Sequence, residues 1–210
     1  MNTATPDPAA PATVFLVDDD DSFLRSLSRL LRASGYSVIA HPSAREFLES
    51  LRPGARGCVV TDLRMPGMDG IALQEALVQK GSPLPILFLT GHGDIPVTVQ
   101  AMRRGAEDFL TKNAPKDQLL SAVDRALARN EQEHVELSRR EALRQRFETL
   151  SPREVEVLRG VLSGCLNKQI AADLGIHERT VKLHRFGVTT KLGVQSVAEL
   201  TRLAQDAGFK

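Results

Sequence analysis

Between residues 13 and 124, five short apolar runs alternate with segments of helical periodicity, and that rhythm leaves few folds open. The runs are TVFLV (13–17), YSVIA (36–40), GCVVT (57–61), PILFL (85–89) and EDFLT (107–111). Short, nearly continuous apolar runs suit strands buried on both faces of a parallel sheet. The segments between them carry the other period. In SFLRSLSRLLRASG, Phe23, Leu24, Leu27, Leu30 and Leu31 recur at helical spacing and Gly35 closes the segment. SAREFLESL, IALQEALVQKG, DIPVTVQAMRRG and QLLSAVDRALAR follow the same pattern, with Asp94 placed to cap the third of these. Five β–α units in succession predict a doubly wound α/β domain around a five-stranded parallel sheet over residues 13–124.

The rest of the chain is built differently. Residues 125–149 hold no Gly or Pro and mix acids and bases at helical spacing, as in Glu136–Arg140 and Glu141–Arg144. Their apolar positions Leu127, Val135, Leu137, Leu143 and Phe147 are sparse, which predicts a solvated helical linker continuing the fifth helix of the first domain. Residues 150–210 show no strand pattern and read as a helical domain, with four helix-like pieces each ending in Gly. Charge separates the two halves. Residues 1–123 contain 12 Lys+Arg and 14 Asp+Glu, whereas residues 151–210 contain 9 and 6, so a net charge of +1 conceals an acidic and a basic domain. The opening MNTATPDPAAPA (1–12) reads as a disordered tail and not as a secretory leader. No apolar run approaches the ~18 residues of a membrane span. The two cysteines, Cys58 and Cys165, are too few for a disulfide framework or a zinc site. A cytoplasmic protein with reduced thiols is expected.

Candidate chemistry gathers at the strand ends. In open α/β sheets ligands sit beyond the carboxyl ends of the strands. The first run ends in Asp18-Asp19, the third in Asp62 and the fourth in Thr90, and the fifth leads to Lys112. Three carboxylates converging on one rim require a cation, and a hard, oxygen-lined site suits Mg²⁺. That accounts for half of the unbroken run Asp18–Asp21. Asp20 and Asp21 then fall in the first turn of the following helix, where its dipole favours negative charge.

VDDD, TDLRMPGMDG, LTGHGD and FLTK, in this order over half the chain, resemble the receiver domain of bacterial response regulators, a flavodoxin-like fold. The resemblance implies that Asp62 accepts a phosphoryl group from a sensor histidine kinase. It implies that Asp19, Asp62 and the backbone carbonyl of Arg64 bind Mg²⁺, with Asp18 assisting through water. Thr90 and Lys112 would hold phosphoryl oxygens, and Thr90 with Phe109 would form a switch pair. A dimer face on the segments 94–105 and 107–111 is implied as well, including Val97, Val99, Met102, Arg103 and Arg104. Arg64 and His92 would sit at the mouth of the site. Asn113 stands where the family commonly has proline, so a trans peptide bond is expected after Lys112, because a cis bond before a non-proline residue costs roughly 2.5–4 kcal/mol.

SPRE, NKQIA, TVKLH and KLGV in residues 150–210 resemble the LuxR/FixJ-type helix-turn-helix, and with the receiver they point to FixJ-like regulators. A short helix, a turn at Gly175 and a second helix bearing basic groups fit that motif independently. On the second helix Lys182, His184, Arg185 and Thr180 are expected on the outer side, for phosphates and base edges. The methyls of Val181 are a further candidate contact to DNA, and Lys168 a phosphate contact. His177 replaces the usual serine cap, at a cost of about 1 kcal/mol. The last helix, with Val197, Leu200, Leu203 and Ala204 on one face, would serve a DNA-bound homodimer.

The reading is therefore a phosphorylation-controlled transcription regulator and not an enzyme acting on an external substrate. Two alternatives are a DNA-binding regulator whose receiver is only a phosphorylation-independent dimerisation scaffold, and a Mg²⁺-dependent phosphate sink or phosphohydrolase.

Overall fold

The computed structural model describes residues 12–91 and 95–209, with the backbone alone at 95–97. All of the expected tail but Ala12, together with His92, the Asp94 cap and the side chain of Val97, lies outside the described residues. Five strands, β1 (Thr13–Val17), β2 (Ser37–His41), β3 (Gly57–Asp62), β4 (Ile86–Thr90) and β5 (Asp108–Thr111), form one parallel sheet in the order β2-β1-β3-β4-β5. The order reverses direction between β1 and β3, which pair from Thr13↔Gly57 to Val17↔Thr61. That switch point opens a crevice at the strand C-termini, directly beside Asp18 and Asp62.

The two-residue period of the strands divides the core between the sheet's faces. Val14, Leu16, Cys58 and Val60 join the buried faces of α1 (Asp21–Ala33) and α5 (Lys116–Glu148) through Leu24, Leu27, Leu31, Leu119, Val123 and Ala126. Val17, Val59 and Phe88 join α2 (Ala44–Ser50), α3 (Gly70–Gln79) and α4 (Ile95–Arg103) through Phe47, Leu73, Leu77 and Ala101. Burial on both faces holds for β3 and β4. It fails for β2, whose Ile39 is 46% exposed, because an edge strand has a neighbour on one side only.

Asp20 is the N-cap of α1 and lies just outside its first turn, with its side chain accepting from the Ser22 and Phe23 amides at 2.8 and 3.1 Å. Asp21 occupies the first turn. Among the described residues there is no cis peptide bond, as expected at Lys112–Asn113.

The chain divides into two compact units, with the boundary inside α5 at His134/Val135. At 33 residues, α5 is about 50 Å long. The linker expectation needs correction at both ends. Asn130 is buried, 2% exposed, at the N-terminal start of β3 and the approach to β4, where its Oδ1 accepts from Gly57 N–H at 2.8 Å and its Nδ2 donates to Pro83 C=O at 2.9 Å. At the far end Phe147 enters the second unit's core, stacked on Phe209 with ring centroids 5.0 Å apart. Helical periodicity was legible in 125–149, but these buried contacts interrupt its solvated face.

The second unit adds α6 (Pro152–Leu162), α7 (Asn167–Leu174), α8 (Glu178–Leu192) and α9 (Val197–Asp206) around Val157, Leu158, Ile170, Val188, Leu192 and Leu200. Ser151 and Glu154 form a reciprocal capping box at the start of α6. The α7–α8 turn passes through Gly175 in the left-handed region (φ 65°), as a helix-turn-helix requires. His177 caps α8 by position, but its side chain makes no capping hydrogen bond.

Candidate functional site

The sheet brings Asp18, Asp19, Asp62 and Lys112 to one place. One carboxylate oxygen from each aspartate lies within 4.8 Å of the others. Lys112 Nζ contacts Asp18 Oδ2 at 2.6 Å and Asp62 Oδ2 at 3.0 Å. Register explains the convergence. Asp62 ends β3, Asp18 follows β1, and Lys112 follows β5, with its own amide donating to Thr90 C=O at 2.8 Å. Asp62 Oδ1 accepts from Leu63 N–H at 2.7 Å, which fixes the carboxylate's other edge. Gly70 makes room behind this strand end, since a Cβ there would lie 2.5 Å from the Asp62 carbonyl oxygen.

Asp18 is 3% exposed, and burial pushes its carboxyl above the usual range, against the pull of Lys112 and the Asp20 amide. Burial also works against the charge on Lys112, but the hydrogen bonds and charges of Asp18 and Asp62 outweigh it and hold its ammonium above the usual lysine value. Asp19 is exposed and leaves the cluster open to solvent. The donor set is oxygen only, which suits a hard divalent cation that keeps several waters; Asp18, Asp19 and Asp62 would hold Mg²⁺ here.

Thr90 is buried at the end of β4 on the same rim, and Arg64 is exposed two residues beyond Asp62. Phe109 is half-buried, its ring 5.9 Å from Phe88 and packed against the core below the site. One group was missed from the sequence. The Phe23 ring lies under Lys112, with Nζ 4.5 Å from its centroid. It read as one of several apolar residues of a helix, and nothing in its spacing separates it from them.

In the helical unit, Lys182 and Lys168 are exposed, Thr180 and His184 are half-buried, and Lys182 pairs with Glu178 at 3.2 Å. Arg185 donates to Asn167 Oδ1 at 2.8 Å, tying α8 to the start of α7. Val181 is fully buried in the core with Val188 and Leu192, so its candidacy as a DNA contact is withdrawn: its methyls face inward. The outward apolar groups of α8 are instead Leu183 and Phe186, 65% and 71% exposed, and neither was singled out from the sequence. On α9, Leu200 and Ala204 pack within their own unit while Val197 stays 47% exposed.

An acidic rim at the switch point of a doubly wound sheet, followed by one long helix and a helix-turn-helix unit, is the arrangement of a signal receiver joined to a DNA-binding domain. Comparison with known proteins agrees. Residues 14–124 match the response regulator receiver domain, and residues 148–204 match the bacterial regulatory proteins of the luxR family. Nodulation protein W of Bradyrhizobium diazoefficiens is 45% identical over 204 residues, covering 94% of this chain and 87% of that protein. The transcriptional regulatory protein FixJ of Azorhizobium caulinodans is 42% identical over 195 residues, covering 93% and 92%. The solved structure of the response regulator StyR superposes with a TM-score of 0.83 at 45% identity, covering 93% of this chain and 99% of that one. The chain belongs to the two-component response regulators that carry a LuxR-type DNA-binding domain. No described helix is long and apolar enough to cross a membrane.

Proposed function

We propose that Asp62 is the phosphoacceptor, and that its phosphorylation by a sensor histidine kinase controls how the second unit engages DNA. The observation that carries this reading is the contact of one ammonium with two carboxylates, Lys112 Nζ to Asp18 Oδ2 and Asp62 Oδ2, inside a three-aspartate cluster. A carboxylate oxygen of Asp62 attacks the phosphorus of the donor, the N–P bond of a phosphohistidine breaks, and an acyl phosphate forms. Such a transfer depends on positioning and charge neutralisation more than on covalent help from the protein. Asp19, Asp62 and the Arg64 carbonyl, with Asp18 assisting through water, would hold Mg²⁺, which when bound would neutralise charge between carboxylate and phosphate. Lys112 exchanges the Asp62 oxygen for a phosphoryl oxygen while keeping Asp18. Thr90 takes another phosphoryl oxygen with its hydroxyl, and Phe109 follows it as the switch partner.

In the second unit α8 enters the major groove, with Lys182, Thr180, His184 and Arg185 facing DNA together with Leu183 and Phe186, and Lys168 meeting phosphate. One such unit neutralises few phosphates, so a homodimer on a two-fold site supplies working affinity. Its receiver face includes Val99 and Met102, 44% and 43% exposed on α4. The protein then acts in the cytoplasm as a phosphorylated switch, with no turnover of an external substrate.

Acetyl phosphate with Mg²⁺ is expected to add one phosphoryl group to the wild type and none to Asp62→Asn, and to tighten binding to a selected operator only in the former. Unphosphorylated protein binding equally well would favour the scaffold reading.

A further inference from the structure

We infer that Phe23 is a positioning residue for Lys112: its ring face holds the ammonium in the acidic cluster through an exchange of partners. The inference rests on the role assigned to Asp62 and adds a residue to that machinery.

A closed circuit of contacts ties the two residues together. Lys112 Nζ meets Asp18 Oδ2 at 2.6 Å. Asp18 Oδ1 accepts from the Asp20 amide at 2.9 Å. Asp20 Oδ1 accepts from the Phe23 amide at 3.1 Å. The Phe23 ring closes the loop, 4.5 Å from Lys112 Nζ. The unbroken Asp18–Asp20 stretch thus does two jobs. It supplies carboxylates to the cluster, and it caps α1 so that the helix's third residue points a ring at the cation.

Lys112 needs such a support. It stands on the short connection between β5 and α5, with exposed Thr111 and Asn113 on either side. Beside its stem is a largely apolar cavity of about 230 Å³, to whose wall Lys112 itself belongs together with Phe23, Leu27, Leu89, Leu119 and Lys116, so close packing does not confine the stem on that side. When phosphate arrives on Asp62, Lys112 must give up a carboxylate oxygen at 3.0 Å and take a phosphoryl oxygen. A neutral π face attracts the ammonium without competing as an anion, so it holds Nζ in place during that exchange. A third carboxylate in the same position would oppose the incoming phosphate.

The test is a fluorination series at position 23 in the full-length protein: Phe, 4-fluoro-, 3,5-difluoro- and pentafluoro-Phe, with Phe23→Tyr and Phe23→Leu. Fluorine drains the ring face with little change in shape. Phosphoryl uptake from acetyl phosphate should fall stepwise along the series, about threefold to tenfold by its end. It should be kept in Phe23→Tyr and lost to a similar extent in Phe23→Leu. Independently of phosphorylation, the Lys112 ε-methylene protons should show an upfield ring-current shift in the wild type that disappears in Phe23→Leu. A flat series alongside an impaired Phe23→Leu would make the ring mere packing and overturn the proposal, as would absence of the ring-current shift. A wild type that takes up no phosphate would overturn the Asp62 reading instead, and the ring-current shift would still judge the contact.

Discussion

Asn130 and Gly57 lie 73 residues apart, yet the side-chain amide of the first receives the backbone N–H of the second at 2.8 Å and donates to Pro83 C=O at 2.9 Å. One buried side chain therefore joins the start of β3, the approach to β4 and the helix that leaves the domain. Salt bridges to the same stretch, Arg129–Glu107 at 3.0 Å and Arg125–Asp108 at 2.6 Å, repeat the fastening nearer solvent.

Replacing Asn130 by Ala leaves a buried N–H and a carbonyl without their partner. The expected loss is about 1–3 kcal/mol of stability in the first unit. Arg125→Ala, at a half-exposed pair, should cost no more than about 1 kcal/mol. Urea unfolding followed at amides of β3 and of α8 would separate the units. Equal losses for the two variants would mean that the buried amide is not the fastening.

How much of this was readable in advance depended on the kind of signal. The five strands were found within a residue or so of their limits: two-face burial forces continuous apolar runs in β3 and β4, the regular alternation with helical segments marked the others, and a strand's end places its next side chain on the rim. Asp18, Asp19, Asp62 and Lys112 were legible for that reason. Asn130 was not, since a single polar residue in a polar helix has no periodicity to betray its burial. Phe147 was seen only as sparse apolar content, because its partner Phe209 lies at the far end of the chain. Val181 was read as a DNA contact because its methyls could meet a thymine, and helical spacing alone did not exclude an inward face beside Val188. Packing decides for the inward face, which leaves Leu183 and Phe186 outside.

Glu154 gives the second unit an acid-sensitive tie. Its Oε2 accepts from Lys191 Nζ at 2.6 Å and from the Ser151 amide at 2.7 Å. Lys191 first, and the Ser151 amide after it, pull the carboxyl from its ordinary 4.5 down to about 2. A carboxyl depressed in the folded state stabilises it fully above the unfolded value and loses that contribution as pH falls through the folded one. The difference in stability between wild type and Glu154→Gln should therefore be constant above pH 4.5 and shrink between there and about 2. Amide signals of residues 150–209 across an acid titration would report it, and a difference independent of pH would exclude this origin. The same carboxylate accounts for Gly187, where a Cβ would stand 2.5 Å from Glu154 Oε1. Gly187→Ala should displace the carboxylate and lower the pH-dependent part with it.

The outer face of α8 sets the last expectation, because burial separates two effects that one failed binding assay would confuse. Val181 is fully buried, so Val181→Ala should cost the second unit about 1–3 kcal/mol of stability and weaken DNA binding only through unfolding. Leu183 and Phe186 are mostly exposed, so their alanine variants should fold with stability changes within about 0.5 kcal/mol. If they lie in the major groove they have no polar edge to offer, and the thymine methyl is the base feature an apolar side chain recognises. Leu183→Ala and Phe186→Ala should then weaken specific binding by about 1–3 kcal/mol, and uracil in place of the contacted thymines should reproduce that loss in the wild type while adding nothing in the variant. Lys182→Ala should act differently, reducing the salt dependence by about one phosphate's worth and weakening all sequences alike. A uracil effect that persists undiminished in both apolar variants would place the methyl contact on other residues, and α8 would then read DNA through its polar side chains alone.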